Sequence, residues 1–332
     1  MALLKLDQLH HYIADALRAS GVSHSNANSV AHALSQAQRD GKLGHGVSRV
    51  ASYCAQARSG KVDGTATPIM TKRGSVLRVD ARNGFAYPAL DLAMEGLVEC
   101  VANQGVAVCG VYNSHHCGVL GLSVERLAQK GLVAMMLANS PAAMAPYGGD
   151  TAIFGTNPIA FACPRGADKP PLVIDLSLSE VARGKVMLAE REGRQIPFGW
   201  GLNSEGRPTS NPKEVLNGGS MIPAGGVKGS ALALMVELLI AALVGANPAF
   251  QASSFFESSG DPPGVGQWLL VLQPTFFRDG SFLERVEMIL DAMIQQPNVR
   301  IPGQTIAEAR KKERVWLSDA DLDEIRHLAN FN

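Results

Sequence analysis

His45 and Arg49 are the residues whose types and spacing most directly suggest chemistry. They stand four apart in Gly44-His45-Gly46-Val47-Ser48-Arg49, a spacing that makes neighbours on one helical face. Reducing a C=O or C=N beside a carboxylate needs a cation to hold that carboxylate and an acid to protonate the developing charge. An arginine fork supplies the first, and an imidazole titrates in the range for the second. The plainer reading is a surface helix with a capping histidine.

Ala224-Gly225-Gly226-Val227-Lys228-Gly229-Ser230 offers bare backbone N–H groups at the mouth of an apolar helix, where a phosphate would sit. The order Lys-Gly-Ser is not that of a P-loop, which disfavours ATP hydrolysis, and no Gly-x-Gly-x-x-Gly fingerprint occurs. Simple turn punctuation is the alternative. Asn113-Ser114-His115-His116-Cys117-Gly118 follows an apolar strand, and strand ends in α/β folds are where ligands gather. Adjacent histidines point in different directions and no HxxxH pair supplies a zinc face, so no metal is expected. A strand-end turn with satisfied imidazoles stands beside the functional reading. Thr156, in Phe154-Gly155-Thr156-Asn157-Pro158, can donate to a carboxylate or carbonyl. Asp175 closes the apolar run Leu172-Val173-Ile174, where a carboxylate must cap, pair or meet a ligand; capping is the safer choice. Arg183-Gly184-Lys185 reads as a solvated turn.

The elements that must position these groups are legible as periodicities. Leu6, Leu9, Ile13, Ala16 and Leu17 recur at helical spacing up to Gly21. Ser23 or Ser25 can cap a second helix ending near Gly41, and a third is predicted over 45–58, closed by Gly60. Strands are predicted at 76–79, 105–111, 132–138, 158–162, 172–175 and 268–272. Further helices are predicted over 88–102, 120–130, 230–244 and 281–295. This alternation makes the chain α/β. The Ser-, Gly-, Pro- and Phe-rich stretch 247–266 is a long loop suited to cover a site or another subunit.

Bulk properties narrow the function. In 332 residues, 46% are hydrophobic and 18% charged, enough for a large core. Thirty basic residues balance thirty acidic ones, which argues against a nucleic-acid partner. Cysteines 54, 100, 109, 117 and 163 show no CxxC spacing and are odd in number, as expected of reduced thiols in the cytoplasm. No secretory signal opens the sequence. The apolar run 231–244, interrupted by Glu237, is too short to span a bilayer and reads as a buried helix.

These pieces, in this order, resemble the type II malate/L-lactate dehydrogenase family of NAD(P)-dependent oxidoreductases. The likeness is carried by Arg39-Asp40-Gly41 with His45-Gly46 and Arg49, Asn113-Ser114-His115-His116, Pro146-Tyr147-Gly148-Gly149, Phe154-Gly155-Thr156-Asn157-Pro158, Ala182-Arg183-Gly184-Lys185-Val186 and Gly225-Gly226-Val227-Lys228-Gly229. Within the family, Ala37-Gln38-Arg39-Asp40-Gly41, Val62-Asp63-Gly64 with Ala66-Thr67-Pro68, and Lys228-Gly229-Ser230-Ala231-Leu232 look most like the Δ1-piperideine-2-carboxylate/Δ1-pyrroline-2-carboxylate reductases.

The resemblance implies a non-Rossmann α/β cofactor- and substrate-binding domain (73–280). It also implies a helical domain built from both chain ends (1–72 with 281–332), and a homodimer without membrane partners. His45 would be the acid, with His116 as its rival, and Arg49, Thr156 and Asp175 would face a small carboxylate substrate. NADPH or NADH would be held by Cys117, Gly118, Val119, Leu120 and Gly121, by Leu176, Ser177 and Leu178, by Lys228 and Gly229, and by Arg310. Apart from the resemblance, the basic residues Arg300, Arg310, Lys311 and Lys312 are candidates to meet a 2′-phosphate, with a merely solvated tail of charges as the plainer reading. Two positions depart from the imine reductases: Gly44 stands where a Ser is expected and Lys185 where an Asp is expected, so a Ser–His–Asp relay cannot be drawn. Arg-Gly-Lys pulls instead toward 2-hydroxy acid dehydrogenases. The expectation is reduction of a cyclic imine carboxylate, with a 2-oxo acid as runner-up and a non-catalytic nucleotide-binding relative as a third possibility.

Overall fold

The computed structural model describes residues 2–166, 169–277, 280–310 and 314–329; Lys311 and Lys312 therefore lie outside the described residues. A short strand β1 (Ala2–Lys5) leads into helix α1 (Leu6–Ala19), whose Leu9, Ile13, Ala16 and Leu17 form one buried stripe. Ser23 caps α2 (His24–Arg39) by accepting from the Asn26 N–H at 3.4 Å. Helix α3 (Val50–Ser59) ends at Gly60 in the left-handed conformation.

The single helix expected over 45–58 is not what forms. Leu43–His45 and Val47–Arg49 are two separate 3₁₀ turns, and α3 starts only at Val50. Gly46 makes the break. The Gln38 side chain packs so tightly on it that a Cβ would collide, and Gln38 Oε1 accepts the Val47 N–H at 3.1 Å.

The chain then builds β2 (Ile69–Arg73), β3 (Val76–Asp80), α4 (Ala86–Gln104), β4 (Val106–Ser114), α5 (Leu120–Ala128), β5 (Val133–Ala138), β6 (Ile159–Cys163) and β7 (Leu172–Leu176). There follow α6 (Arg183–Arg191), β8 (Gly201–Leu202), α7 (Pro212–Leu216), β9 (Ser220–Met221) and α8 (Val227–Glu237), which continues as a π-helix over Leu238–Val244. The last elements are β10 (Val265–Leu272), α9 (Phe282–Ile294), α10 (Gln304–Ala309), β11 (Arg314–Leu317) and α11 (Asp319–Leu328).

Seven strands make one mixed sheet in the order β2-β3-β4-β10-β5-β6-β7. Among the described residues β3 and β4 are its one parallel pair. Leu97 of α4 and Leu127 of α5 pack on one face with Leu77, Val111, Met136 and Leu269. Val236 and Ile240 pack with Leu137, Met144 and Phe154 in a second core. A third core joins the two chain ends: β1 pairs antiparallel with β11, and Ile13, Leu17 and Tyr53 share it with Val315 and Ile325.

The apolar run around 231–244 corrects the expectation of a short buried helix. It belongs to a continuous helix from Val227 to Val244, long and apolar enough to cross a membrane by length and composition, yet only 33% of it is buried. Leu232, Leu234, Met235, Leu238 and Leu243 are exposed. Its buried side is fixed by Glu237, which accepts from the Ala249 N–H at 2.6 Å and from Asn157 Nδ2 at 2.9 Å.

Candidate active site

His45, at the end of the first 3₁₀ turn, and His116, just beyond β4, stack their rings with centroids 5.2 Å apart and 13° from parallel. Behind His116, Nδ1 lies 2.5 Å from Tyr53 Oη of α3, and that hydroxyl lies 3.2 Å from Tyr87 Oη of α4. The 247–264 loop roofs the group. The Phe255 ring sits 5.1 Å from His116 and 5.4 Å from His115. Phe256 receives two guanidinium groups, Arg49 at 4.6 Å and Arg183 at 5.9 Å from the ring centroid, both within cation–π range.

The roof is anchored to the helical unit. Lys61, 2% exposed, donates from Nζ to the carbonyls of Ser254 (2.8 Å), Glu257 (3.1 Å) and Ser259 (3.1 Å). Gln56 Nε2 donates to those of Phe255 (3.0 Å) and Glu257 (2.9 Å). The ammonium is solvated by loop carbonyls in place of water, and its burial lowers the Lys61 pKa.

Burial dominates the electrostatics. It pushes His45 down to about 4, with Arg49 and Lys42 adding to the effect, and His115 down to about 3, with Lys61 and Arg49 adding. His116 falls well below the ordinary imidazole range, from burial first and then from Arg49, His45 and His115. Burial raises Tyr53 to about 12 and Tyr87 well above its usual value. At neutral pH the cluster is therefore a chain of neutral hydrogen-bonding groups beside two cations. Arg49 Nε donates to the Gly44 carbonyl at 2.8 Å. Arg183 Nη1 donates to the Ala142 carbonyl at 3.4 Å, and its Nε is buried without a partner. Among the described residues neither guanidinium has a carboxylate partner.

The remaining candidates fall into separate groups. Cys117, Gly118 and Val119 line a cavity of about 180 Å³ together with His45, Tyr87 and Arg310; Leu120 and Gly121 open α5 beside it. Asp175, expected to face substrate, accepts the Gly121 N–H at 2.8 Å and so caps α5 from β7; burial raises its pKa. No described contact brings it to His45 or Arg49. Thr156 is joined to the 176–178 segment expected to hold the cofactor, its carbonyl accepting the Leu178 N–H at 2.8 Å, and the Leu178 carbonyl accepts the Ala224 N–H at 2.8 Å. Leu176, Ser177 and Leu178 are thus tied to the loop preceding Lys228 and Gly229. Gly229 packs against the Ala224 carbonyl so closely that a Cβ would collide.

Arg310, expected to hold the cofactor, lines the same cavity with its guanidinium paired to two carboxylates. It forms a fork on Asp40 (2.8 and 2.5 Å) and a further bond to Glu125 at 2.5 Å. Arg183-Gly184-Lys185 is the first turn of α6 and not a solvated loop; Lys185 is exposed, whereas Arg183 is half-buried. Tyr53, Tyr87, Lys61 and Arg183 are the site residues that sequence reasoning missed. The Phe-rich stretch 247–266 was expected to cover a site or another subunit, and its adjacent Phe255-Phe256 supply the roof.

The chain belongs to the malate/L-lactate dehydrogenase family, whose model matches residues 4–325, and is therefore an oxidoreductase. It is 50% identical to a (2R)-3-sulfolactate dehydrogenase (NADP(+)) of Chromohalobacter salexigens, over 98% of each chain. It is 39% identical to a Δ1-pyrroline-2-carboxylate/Δ1-piperideine-2-carboxylate reductase of Pseudomonas syringae pv. tomato, over 96% of this chain and 94% of the relative. The crystal structure of Δ1-piperideine-2-carboxylate reductase from that organism superposes with a TM-score of 0.94 at 37% identity, covering 99% of this chain and 100% of the other.

Proposed function

We propose that this protein is an NADP(H)-dependent dehydrogenase of a small 2-hydroxy acid that carries a second anionic group, of the 3-sulfolactate kind. The observation that carries this reading is the pair Arg49 and Arg183, two cations over one Phe256 ring without a carboxylate between them. Two like charges held together in a half-buried site are unfavourable unless a ligand brings matching negative charge. One fork takes the 2-carboxylate and the other the second anion, by charge-assisted hydrogen bonds. The 50% identity to a sulfolactate dehydrogenase supports the same choice.

NADPH, when bound, supplies the hydride. The residues present fit it: the α8 N-terminus has no side-chain cap, Lys228 is exposed on its first turn, and the close packing of Gly229 leaves the backbone N–H groups bare for a phosphate. The sheet order, with antiparallel strands between β4 and β7, supports a cofactor site outside the doubly wound arrangement. His116 exchanges the substrate proton. Its Nδ1 is held by Tyr53, leaving Nε2 for the substrate oxygen, whereas the buried Nδ1 of His45 has no partner.

The reduction of a cyclic imine carboxylate is the second reading, supported by the 0.94 superposition and by His45 stacked beside the acid. We further infer a homodimer that covers the exposed apolar side of the 227–244 helix, and a cytoplasmic location, in keeping with five free, buried cysteines.

The test is NADPH oxidation with 3-sulfopyruvate, oxaloacetate, pyruvate and Δ1-pyrroline-2-carboxylate. The proposal expects the two doubly anionic oxo acids to be turned over at much higher kcat/KM than pyruvate. Turnover of the imine alone would replace it by the second reading.

A further inference from the structure

A low-pKa histidine poses a problem for an acid that works at neutral pH. His116 is surrounded by Arg49, His45 and His115 and carries no proton to spare as an imidazolium. A neutral imidazole can still give up its Nε2 proton if Nδ1 gains another at the same time. The Ser–His–Asp relay that Gly44 and Lys185 break belongs to His45; the second proton of His116 has to come through the group its Nδ1 touches, the Tyr53 hydroxyl.

We propose that Tyr53 and Tyr87 form a proton relay that reloads His116 from the cavity. The geometry is continuous: His116 Nδ1 to Tyr53 Oη is 2.5 Å, Tyr53 Oη to Tyr87 Oη is 3.2 Å, and Tyr87 lines the cavity of about 180 Å³. Tyr53 is fully buried, and its hydroxyl touches these two groups directly. The high pKa values of both phenols keep them as O–H groups, able to pass a proton without resting as phenolates.

In reduction, the hydride pair forms the new C–H bond and the C=O π pair moves to oxygen. That oxygen takes the Nε2 proton of His116. Nδ1 takes the Tyr53 proton, Tyr53 takes that of Tyr87, and Tyr87 takes one from cavity water. One solvent proton is consumed, no side chain changes charge, and His116 ends as the opposite tautomer. That tautomer has a bare Nε2, as the oxidation direction requires; before another reduction, water entering after product release protonates Nε2 and the Nδ1 proton returns through Tyr53 and Tyr87 to the cavity. His45 lines the same cavity, but its buried Nδ1 has no partner and therefore no hydroxyl chain behind it.

The relay rests on His116 being the acid, and the test separates the two claims. The variants are His116→Gln, Tyr53→Phe and Tyr87→Phe, each with NADPH binding followed by fluorescence. The last two remove only a hydroxyl and keep the ring packing. For Tyr53→Phe the expected result is a loss in kcat of about 100-fold, with substrate KM and NADPH affinity within about twofold of wild type. The solvent-deuterium proton inventory should change from curved (several protons in flight) to linear. The pH profile of Tyr53→Phe should turn acid-seeking, because its His116 can donate only after protonation. Tyr87→Phe should show the same inventory change with a smaller loss. If His116→Gln is inactive while Tyr53→Phe keeps wild-type kcat and a curved inventory, the relay is wrong and the acid stands. If His116→Gln retains activity, both fall.

Discussion

Arg49 and Arg183, separated by more than a hundred positions in sequence, place their guanidinium groups over the same Phe256 ring, at 4.6 and 5.9 Å from its centroid. The aromatic face holds each cation where a carboxylate would otherwise be needed. On the proposed reading, both forks are thereby left for ligand anions.

Arg183→Met should therefore discriminate between substrates. Loss of one charged hydrogen-bonding partner is worth roughly 1.5–3 kcal/mol, or about 10- to 150-fold. KM for 3-sulfopyruvate or oxaloacetate should rise by that factor while kcat/KM for pyruvate changes little. Equal losses on all three oxo acids would assign Arg183 to general structure.

The buried histidines predict a stability slope in acid. His115 has both ring nitrogens buried without partners and a pKa of about 3, and His45 lies at about 4, against an ordinary 6.5. The unfolded chain binds more protons in that interval, so stability is full above about pH 6.5 and falls as pH drops toward 3 to 4. His115→Phe, which suits the surrounding Tyr53, Phe85 and Phe255 rings, should flatten the decline of Tm between pH 6.5 and 4. Parallel Tm curves would show that His115 does not contribute.

Lys61→Met should free the roof without touching the chemistry directly. The Ser254 and Ser259 carbonyls lose their donor and Glu257 keeps only Gln56, and the backbone near Phe255 and Phe256 becomes a substrate for chymotrypsin. The expected pattern is rapid cleavage at those two residues and a substrate KM raised about tenfold, with NADPH affinity retained. Resistance to cleavage equal to wild type would mean that Gln56 alone suffices.

The exposed side of the 227–244 helix predicts self-association. Sedimentation should give twice the 35.1 kDa of one chain, and Leu238→Glu with Leu243→Glu should shift it to monomer. A wild-type monomer would leave this face for a different partner.

Legibility in the sequence followed the range of the interactions. Buried stripes such as Leu9-Ile13-Leu17 and the apolar run of β4 announced their elements, because local periodicity is enough to specify them. His45 and Arg49 were found as a pair, but the shared helix was not there: Gly46 packs on Gln38, a contact that spacing rules do not contain. Asp175 was visible as a carboxylate in an apolar strand end, and the α5 N-terminus that explains it comes from a distant segment. Arg183 read as a solvated turn because the Phe256 that half-buries it lies in a loop some seventy residues on. Tyr53 resembled any core aromatic until His116 was seen beside it.

The bonds from Lys61 to the roof span 193 to 198 residues. Loops of that length are slow to close, and their contacts reward the chain late. The candidate pocket is thus among the last parts to assemble, and a nascent chain halted before residue 254 would hold both histidines and both arginines yet lack the roof that covers them. Activity should appear during synthesis as a step near the end, after the sheet has gained β10, and not as a gradual rise.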